Sequence, residues 1–304
     1  MRISTAQYHQ QAIDSINERS TAMAKLQEQL TTGKRVNRAS DDPIGAAEAE
    51  RIRASTAKMA MEKRMMSFAT SMLSQADGAL AGASDSLQTA RELMVSAGNG
   101  ALQAEDRKSI AVQLRNVRNE LLAIANQRDG AGGYVFGGQG SATAPFTSTG
   151  TPPGPVVFEP TGGTQQTGLD MPFDTTIDGG EVFLGTSGGD SIFAALDTLV
   201  GQLENENIDG TTLRAGLDAA LGATDAGLDR VLQARTAAGE QLRIMESRGR
   251  LLESGELQAA TRLADISATD YAKVVSEMQT NQLAVDAAMR TYAQISRLSL
   301  FDYL

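Results

Sequence analysis

Nucleophilic, acid–base and metal chemistry each need particular side chains at particular spacings, and this chain offers few of them. Its 304 residues include no cysteine and a single histidine, His9. Without thiols, disulfides and cysteine-based metal or redox centres are excluded. His9 has no second histidine or cysteine with which to share a metal ion, and a triad built on it would need a terminal helix folded into a cleft. It reads as a solvated or interface residue. Gly33-Lys34 has the ending of a phosphate-binding loop, but Arg35 stands where Ser or Thr is required and position 28 is Glu rather than Gly. The glycine-rich run from Asp129 to Gly138 lacks G-x-G-x-x-G spacing and follows a helical pattern instead of a strand. Elsewhere carboxylates are interspersed with Lys and Arg, as a solvated helix face requires. No catalytic, cofactor or metal constellation emerges, and a non-enzymatic role is expected.

The most distinctive polar stretch lies between Leu30 and Ala47. Gly33 is placed to end one helix in the left-handed conformation. Asp42 is a natural N-cap, followed by Pro43 at a favoured first-turn position. Lys34, Arg35 and Arg38 oppose Asp41 and Asp42 across a short loop. Arg35, Asn37, Asp41 and Asp42 are therefore candidate contacts to a neighbouring subunit, while a well-capped turn between helices accounts for the same residues.

Most of the chain consists of elements that would carry such a loop: long helices with apolar seams. Apolar residues are 41% but aromatics only 4%, so Ala, Leu, Val, Ile and Met dominate, as in helix–helix packing. At heptad spacing, Met66, Ala69, Leu73, Ala76, Leu80, Ala83, Leu87, Ala90, Met94 and Ala97 are all apolar, large alternating with alanine. Chance gives such a run on the order of once in ten thousand per register. Alternate alanines let a partner backbone approach closely, so these residues are the expected rod core, ending at Gly98 or Gly100. Ile110, Leu114, Val117, Leu121 and Ile124 continue the pattern. Further on come a shorter helix capped by Asp190 (Ile192, Leu196, Leu199, Leu203) and a run from Leu217 to Leu252 interrupted by Thr224, Arg235 and Gly249.

Both ends are amphipathic. Ile16, Met23, Leu26 and Leu30 share one face. Tyr271, Val274, Met278, Asn281, Val285, Ala288, Tyr292 and Ile295 keep heptad spacing. A lone seam Asn can fix register, so Asn281 is either a register residue or a solvent-facing one. Burying the apolar members of this last seam falls short of the backbone entropy lost on ordering the helix. The terminal helix thus needs neighbours on more than one side, which a stack of copies supplies.

The middle of the chain differs. Six of seven prolines lie between Pro145 and Pro172, and six of eight phenylalanines between Phe136 and Phe193. Short strands joined by turns are expected, with Tyr134-Val135-Phe136 first, Val156–Phe158 and Val182–Leu184 following, and Asp178-Gly179-Gly180 as a hairpin turn. From Gly130 to Leu213 there are ten acidic residues and no Lys or Arg, while the remainder sums to zero. That block reads as a solubilising outer surface and argues against nucleic acid. No stretch approaches a membrane span, and the first dozen residues lack the apolar core of a cleavable signal. The expected fold class is mainly α with an inserted β domain, an antiparallel long-helix bundle formed by both chain halves. The domains are 1–40 with 262–304 (terminal helices), 41–134 with 190–261 (helical rod) and 135–189 (acidic β-rich insertion).

The stretch Leu30-Thr-Thr-Gly-Lys-Arg-Val-Asn-Arg-Ala-Ser-Asp-Asp-Pro-Ile-Gly-Ala-Ala resembles the N-terminal signature of the bacterial flagellin family. Arg235-Thr-Ala-Ala-Gly-Glu-Gln, Asp265-Ile-Ser-Ala-Thr-Asp-Tyr and the final seam are similar to its C-terminal region. Ala125-Asn-Gln-Arg-Asp-Gly-Ala-Gly-Gly-Tyr-Val-Phe-Gly-Gly and Leu298-Ser-Leu-Phe-Asp-Tyr-Leu resemble the hook-associated branch of that family. The resemblance covers the helical two-thirds of the chain. It implies an axial subunit exported through the flagellar type III apparatus without signal cleavage, shielded beforehand by a cytosolic export chaperone. It further implies a homo-oligomeric ring between a first hook-associated protein and filament flagellin, with the terminal helices forming an inner tube. The alternatives are the major filament flagellin and a carbohydrate-acting enzyme or adhesin carried by the middle segment.

Overall fold

The computed structural model describes residues 5–130, 132–139, 143–148, 154–169, 171–185 and 191–301; the side chains of residues 5, 6, 8, 9 and 295–301 lie outside that description. The element order is α1 (Thr5–Thr32), α2 (Pro43–Ala97), α3 (Ala104–Ala125), β1 (Phe146–Ser148), β2 (Val156–Phe158), β3 (Gln166–Thr167), β4 (Phe173–Asp174), a π-helical turn (Gly180–Leu184), α4 (Ile192–Glu204), α5 (Gly210–Ser267) and α6 (Tyr271–Phe301). The chain divides into two compact units, Met1–Met59 with Glu253–Leu304 and Ala60–Leu252. No helix among the described residues is long and apolar enough to cross a membrane.

In the unit Ala60–Leu252, the ten-residue seam of α2 is buried throughout, no member being more than 8% exposed. Ile110, Leu114, Val117 and Leu121 of α3, Ile192, Leu196, Leu199 and Leu203 of α4, and Leu217, Val231 and Ala238 of α5 are buried with it. The three interruptions of the α5 pattern each have a local reason. The Thr224 hydroxyl is buried beside Met94 Sδ, at 3.8 Å. Arg235 Nε donates to Asp77 Oδ1 at 3.0 Å, and a side chain on Gly249 would begin 3.3 Å from the tip of Met66. The cap of α4 is Ser191, whose hydroxyl accepts the Ala194 N–H; the expected cap, Asp190, lies outside the described residues.

The middle segment holds less sheet than its composition suggests. It has two antiparallel pairs, β1 with β2 (Phe146 opposite Phe158) and β3 with β4 (Thr167 opposite Phe173). Val156–Phe158 is a strand as expected; Tyr134-Val135-Phe136 is not. Tyr134 makes a single bridge to Arg128 and Gly137 one to Asp178, while Phe136 is fully buried. Val182–Leu184 is also not a strand but part of the π-helical turn. Val182 and Phe183, adjacent in sequence, are both buried, whereas a strand would send one of them outward.

Asp178 initiates that turn, so Asp178-Gly179-Gly180 is no hairpin. Its Oδ1 accepts the Glu181 N–H at 3.2 Å and its Oδ2 the Gly163 N–H at 2.6 Å. A side chain at Gly179 would begin 2.6 Å from the Phe136 carbonyl and 2.9 Å from the Phe146 ring, a spacing only glycine tolerates. The segment also shares the helical core. Phe183 meets Phe136 and Phe146 edge-on at 5.2 and 5.6 Å and lies 6.4 Å from Phe193 of α4. Asn126, just after α3, exchanges two hydrogen bonds with the Phe146 backbone at 2.8 and 3.0 Å, as a strand neighbour would.

Candidate assembly interface

The loop joining α1 to α2 is built from its turn chemistry. Gly33 adopts φ +68° and its N–H donates to Gln29 O at 2.9 Å, closing α1. Asp41 Oδ2 accepts the N–H groups of Asn37 and Arg38 at 3.2 and 3.0 Å, while Oδ1 pairs with Lys25 at 2.9 Å. The Lys25 ammonium, followed by the Arg38 N–H, holds the Asp41 carboxyl below its ordinary value. Asp42 Oδ1 accepts the Gly45 N–H at 2.9 Å, capping α2, and Oδ2 pairs with Arg35 at 3.1 Å. Those two contacts, the Gly45 N–H foremost, lower its pKa as well. The Asn37 amide donates to Lys34 O.

All four loop candidates thus spend hydrogen bonds within the chain. The loop's partner, invisible in sequence, is the junction of α5 and α6. The Arg35 N–H donates to Ser267 O at 2.7 Å and its guanidinium to Ile266 O at 2.8 Å, while the Thr269 N–H donates to Gly33 O at 3.1 Å. Lys34 and Ala268 form an antiparallel bridge. The one sequence signal for this junction was the Asp265–Tyr271 stretch, which carried no indication of what it touches. A cleft of about 230 Å³ beside the loop is lined by Lys34, Asn37, Arg38, Glu50, Arg53 and Ser267.

Within the unit Met1–Met59 with Glu253–Leu304, α1 packs on α6. Leu26, Val274 and Val285 are buried. Ile16, Met23, Leu30, Met278, Asn281 and Tyr292 are half-buried, whereas Tyr271 is 56% exposed. The Asn281 amide donates to Glu277 O of its own helix at 3.0 Å. The side chains of Ile295 and His9, and the Leu298–Leu304 stretch, lie outside the described side chains. Apolar residues off the predicted seam are exposed too: Val275, Leu283 and Met289 on α6, with Leu283 at 72%. Heptad counting missed this second strip because it selects only one face.

Residues 3–141 match the family described as the bacterial flagellin N-terminal helical region. Aligned over 99% of both chains, the sequence is 30% identical to flagellar hook-associated protein 3 of Salmonella typhimurium. The chain belongs to the flagellar hook-associated protein 3 family. The corresponding protein of Escherichia coli K12 is likewise 30% identical over 99% of each chain. The crystal structure of flagellar hook associated protein-3 from Legionella pneumophila superposes with a TM-score of 0.64 at 17% identity, covering 71% of this chain and 98% of that one. That likeness extends the family relationship to the mainly helical fold.

Proposed function

We propose that the chain is a structural, non-catalytic subunit of the bacterial flagellum that joins the hook to the flagellin filament. It acts as a homo-oligomeric ring, seated on a first hook-associated protein and receiving flagellin on its other side. The observation that carries this reading is the whole-chain relationship to flagellar hook-associated protein 3. Its physical counterpart is the thin burial along α1 and α6, which leaves Ile13, Val275, Leu283 and Met289 exposed. Packed among equivalent helices of neighbouring copies, these side chains leave water and convert ordering entropy into a cooperative assembly step.

On this reading residues 1–40 and 262–304 form the inner assembly surface, with Ile16, Met23, Leu26, Leu30, Tyr271, Val274, Met278, Asn281, Val285, Tyr292 and Ile295 as packing residues. Arg35, Asn37, Asp41 and Asp42 keep the loop in shape, and segment 135–189 faces outward. The chain reaches the cell exterior through flagellar type III export without signal cleavage, after release from a cytosolic chaperone. Labelled imaging of flagella tests the proposal: signal confined to the hook–filament boundary is expected, and signal elsewhere refutes it.

The match of residues 3–141 to the flagellin N-terminal region favours one second reading, the filament flagellin itself. Self-polymerisation of the purified chain into long filaments, seen by electron microscopy, would decide for it.

A further inference from the structure

Two clefts of opposite sign occur in the chain, one in each compact unit. The cleft beside the loop carries Lys34, Arg38 and Arg53 against a single carboxylate, Glu50. The other, about 330 Å³, lies in the unit Ala60–Leu252 where the middle segment meets α5, and carries Asp174, Asp178 and Glu181 against a single cation, Arg230. Among the described residues no carboxylate lies within ion-pair distance of Lys34, and no cation within that distance of Glu181. Arg38 makes only a long, exposed pair with Glu28 at 3.6 Å. Asp174 and Asp178 are fixed by neutral donors, Thr164 and Gln166 on one and backbone N–H groups on the other, so those bonds bring no counter-charge into the cleft.

We infer that the basic cleft of one copy docks on the acidic cleft of a second copy. The inference rests on the reading of the chain as an assembling subunit and names the surfaces that meet. The lining charges sum to two positive on one side and two negative on the other, so like clefts repel and unlike clefts attract. Such complementarity fixes register and suppresses wrong pairings more than it adds affinity. Two different surfaces meeting make the contact heterologous, the type that propagates round a ring when its rotation closes. Exposed pairs are screened by salt, so the contact is expected to be salt-sensitive.

The test is zero-length carbodiimide crosslinking of the purified full-length chain, followed by denaturing electrophoresis and peptide mass spectrometry. The reagent joins a lysine amine to a carboxylate only when they touch. A dimer band containing a Lys34–Glu181 or Lys34–Asp174 peptide is expected at low salt, falling at least tenfold in about 0.5 M salt, where screening is short-ranged. K34E/R38E and D174K/E181K, changed at the surface, should each lose the band alone and regain it when mixed. Two links are then expected between the variants: the native one, Lys34 of D174K/E181K to Asp174 or Glu181 of K34E/R38E, and a charge-reversed one in which position 34 supplies the carboxylate and position 174 or 181 the amine. No dimer band in the unmodified chain, a band lacking these peptides, or no recovery on mixing overturns the inference. Imaging on flagella tests the subunit reading separately, so the failure of either is recognisable.

Discussion

Arg118 and Asp197, 79 positions apart, form a two-pronged ion pair, Nε to Oδ1 at 3.0 Å and Nη2 to Oδ2 at 3.2 Å. The guanidinium is 5% exposed, donates also to Gly154 O at 3.1 Å and lies 5.8 Å from the Phe193 ring centre. One side chain of α3 thereby ties down α4 and the approach to the second strand.

Removing Arg118 leaves Asp197, whose side chain is only 14% exposed, without its counter-charge. Arg118→Ala should therefore lower unfolding free energy by about 3–5 kcal/mol, read from urea denaturation. Arg118→Lys should recover little, because an ammonium cannot fork across both carboxylate oxygens. The double replacement Arg118→Met with Asp197→Leu should recover most of the loss. Equal stability of the Ala variant and the parent chain would contradict the pair's role.

Gly33 and Gly201 make a contrasting pair. Gly33 sits at φ +68°, and a side chain there would begin 2.8 Å from the Tyr271 hydroxyl. Gly33→Ala should cost about 1–2 kcal/mol from the left-handed backbone alone. Gly201 lies inside α4 with nothing within 4 Å of such a side chain. Gly201→Ala should stabilise by up to about 1 kcal/mol through helix propensity. Thermal melts of the two variants should shift in opposite directions.

Acid should loosen the loop. Asp41 and Asp42 both titrate below the ordinary 3.8 in the folded chain. Their carboxylates contribute stability that is present above the unfolded value, near 3.9, and lost as pH falls through the lower folded values. Hydrogen exchange of residues 33–45 should accelerate below about pH 4, and Asp41→Asn with Asp42→Asn should remove that acid-dependent step. An acid limb unchanged in the double variant would place its origin elsewhere.

Stability should be uneven along the chain. Among the described side chains, α1 buries Leu26 alone and α6 buries Val274 and Val285, against ten seam residues of α2. Amides of residues 1–35 and 265–304 should exchange fast in the isolated chain and those of 66–97 slowly. Slow exchange at both ends in a verified monomer would contradict assembly-dependent ordering.

The seam of α2, the end of that helix at Ala97 and the caps at Gly33 and Asp42 were legible in sequence, because each follows from a period of side chains or from the conformational demands of one residue. The middle segment was not. Its Gly, Pro and Thr content signals turns, but what a turn becomes depends on what it packs against. Asp178 meets both Gly163 and Glu181, and Phe183 enters a cluster with Phe136, Phe146 and Phe193, so the backbone there winds into a π-helical turn instead of a hairpin. The acidic block also changed meaning. Asp197, Glu204 and Glu206 face Arg118, Arg115 and Lys108 of α3, so part of that charge joins helices and does not merely solubilise a surface.

By itself the sequence determined which faces are apolar and where helices start and stop, since these depend on residue type and short-range spacing. Tertiary structure alone decided which distant groups meet: Arg35 with the backbone of Ile266 and Ser267, Arg118 with Asp197, Asn126 with Phe146. Polar contacts of that kind follow from the angle and distance at which whole elements pack, and neither quantity is encoded in any local window of residues.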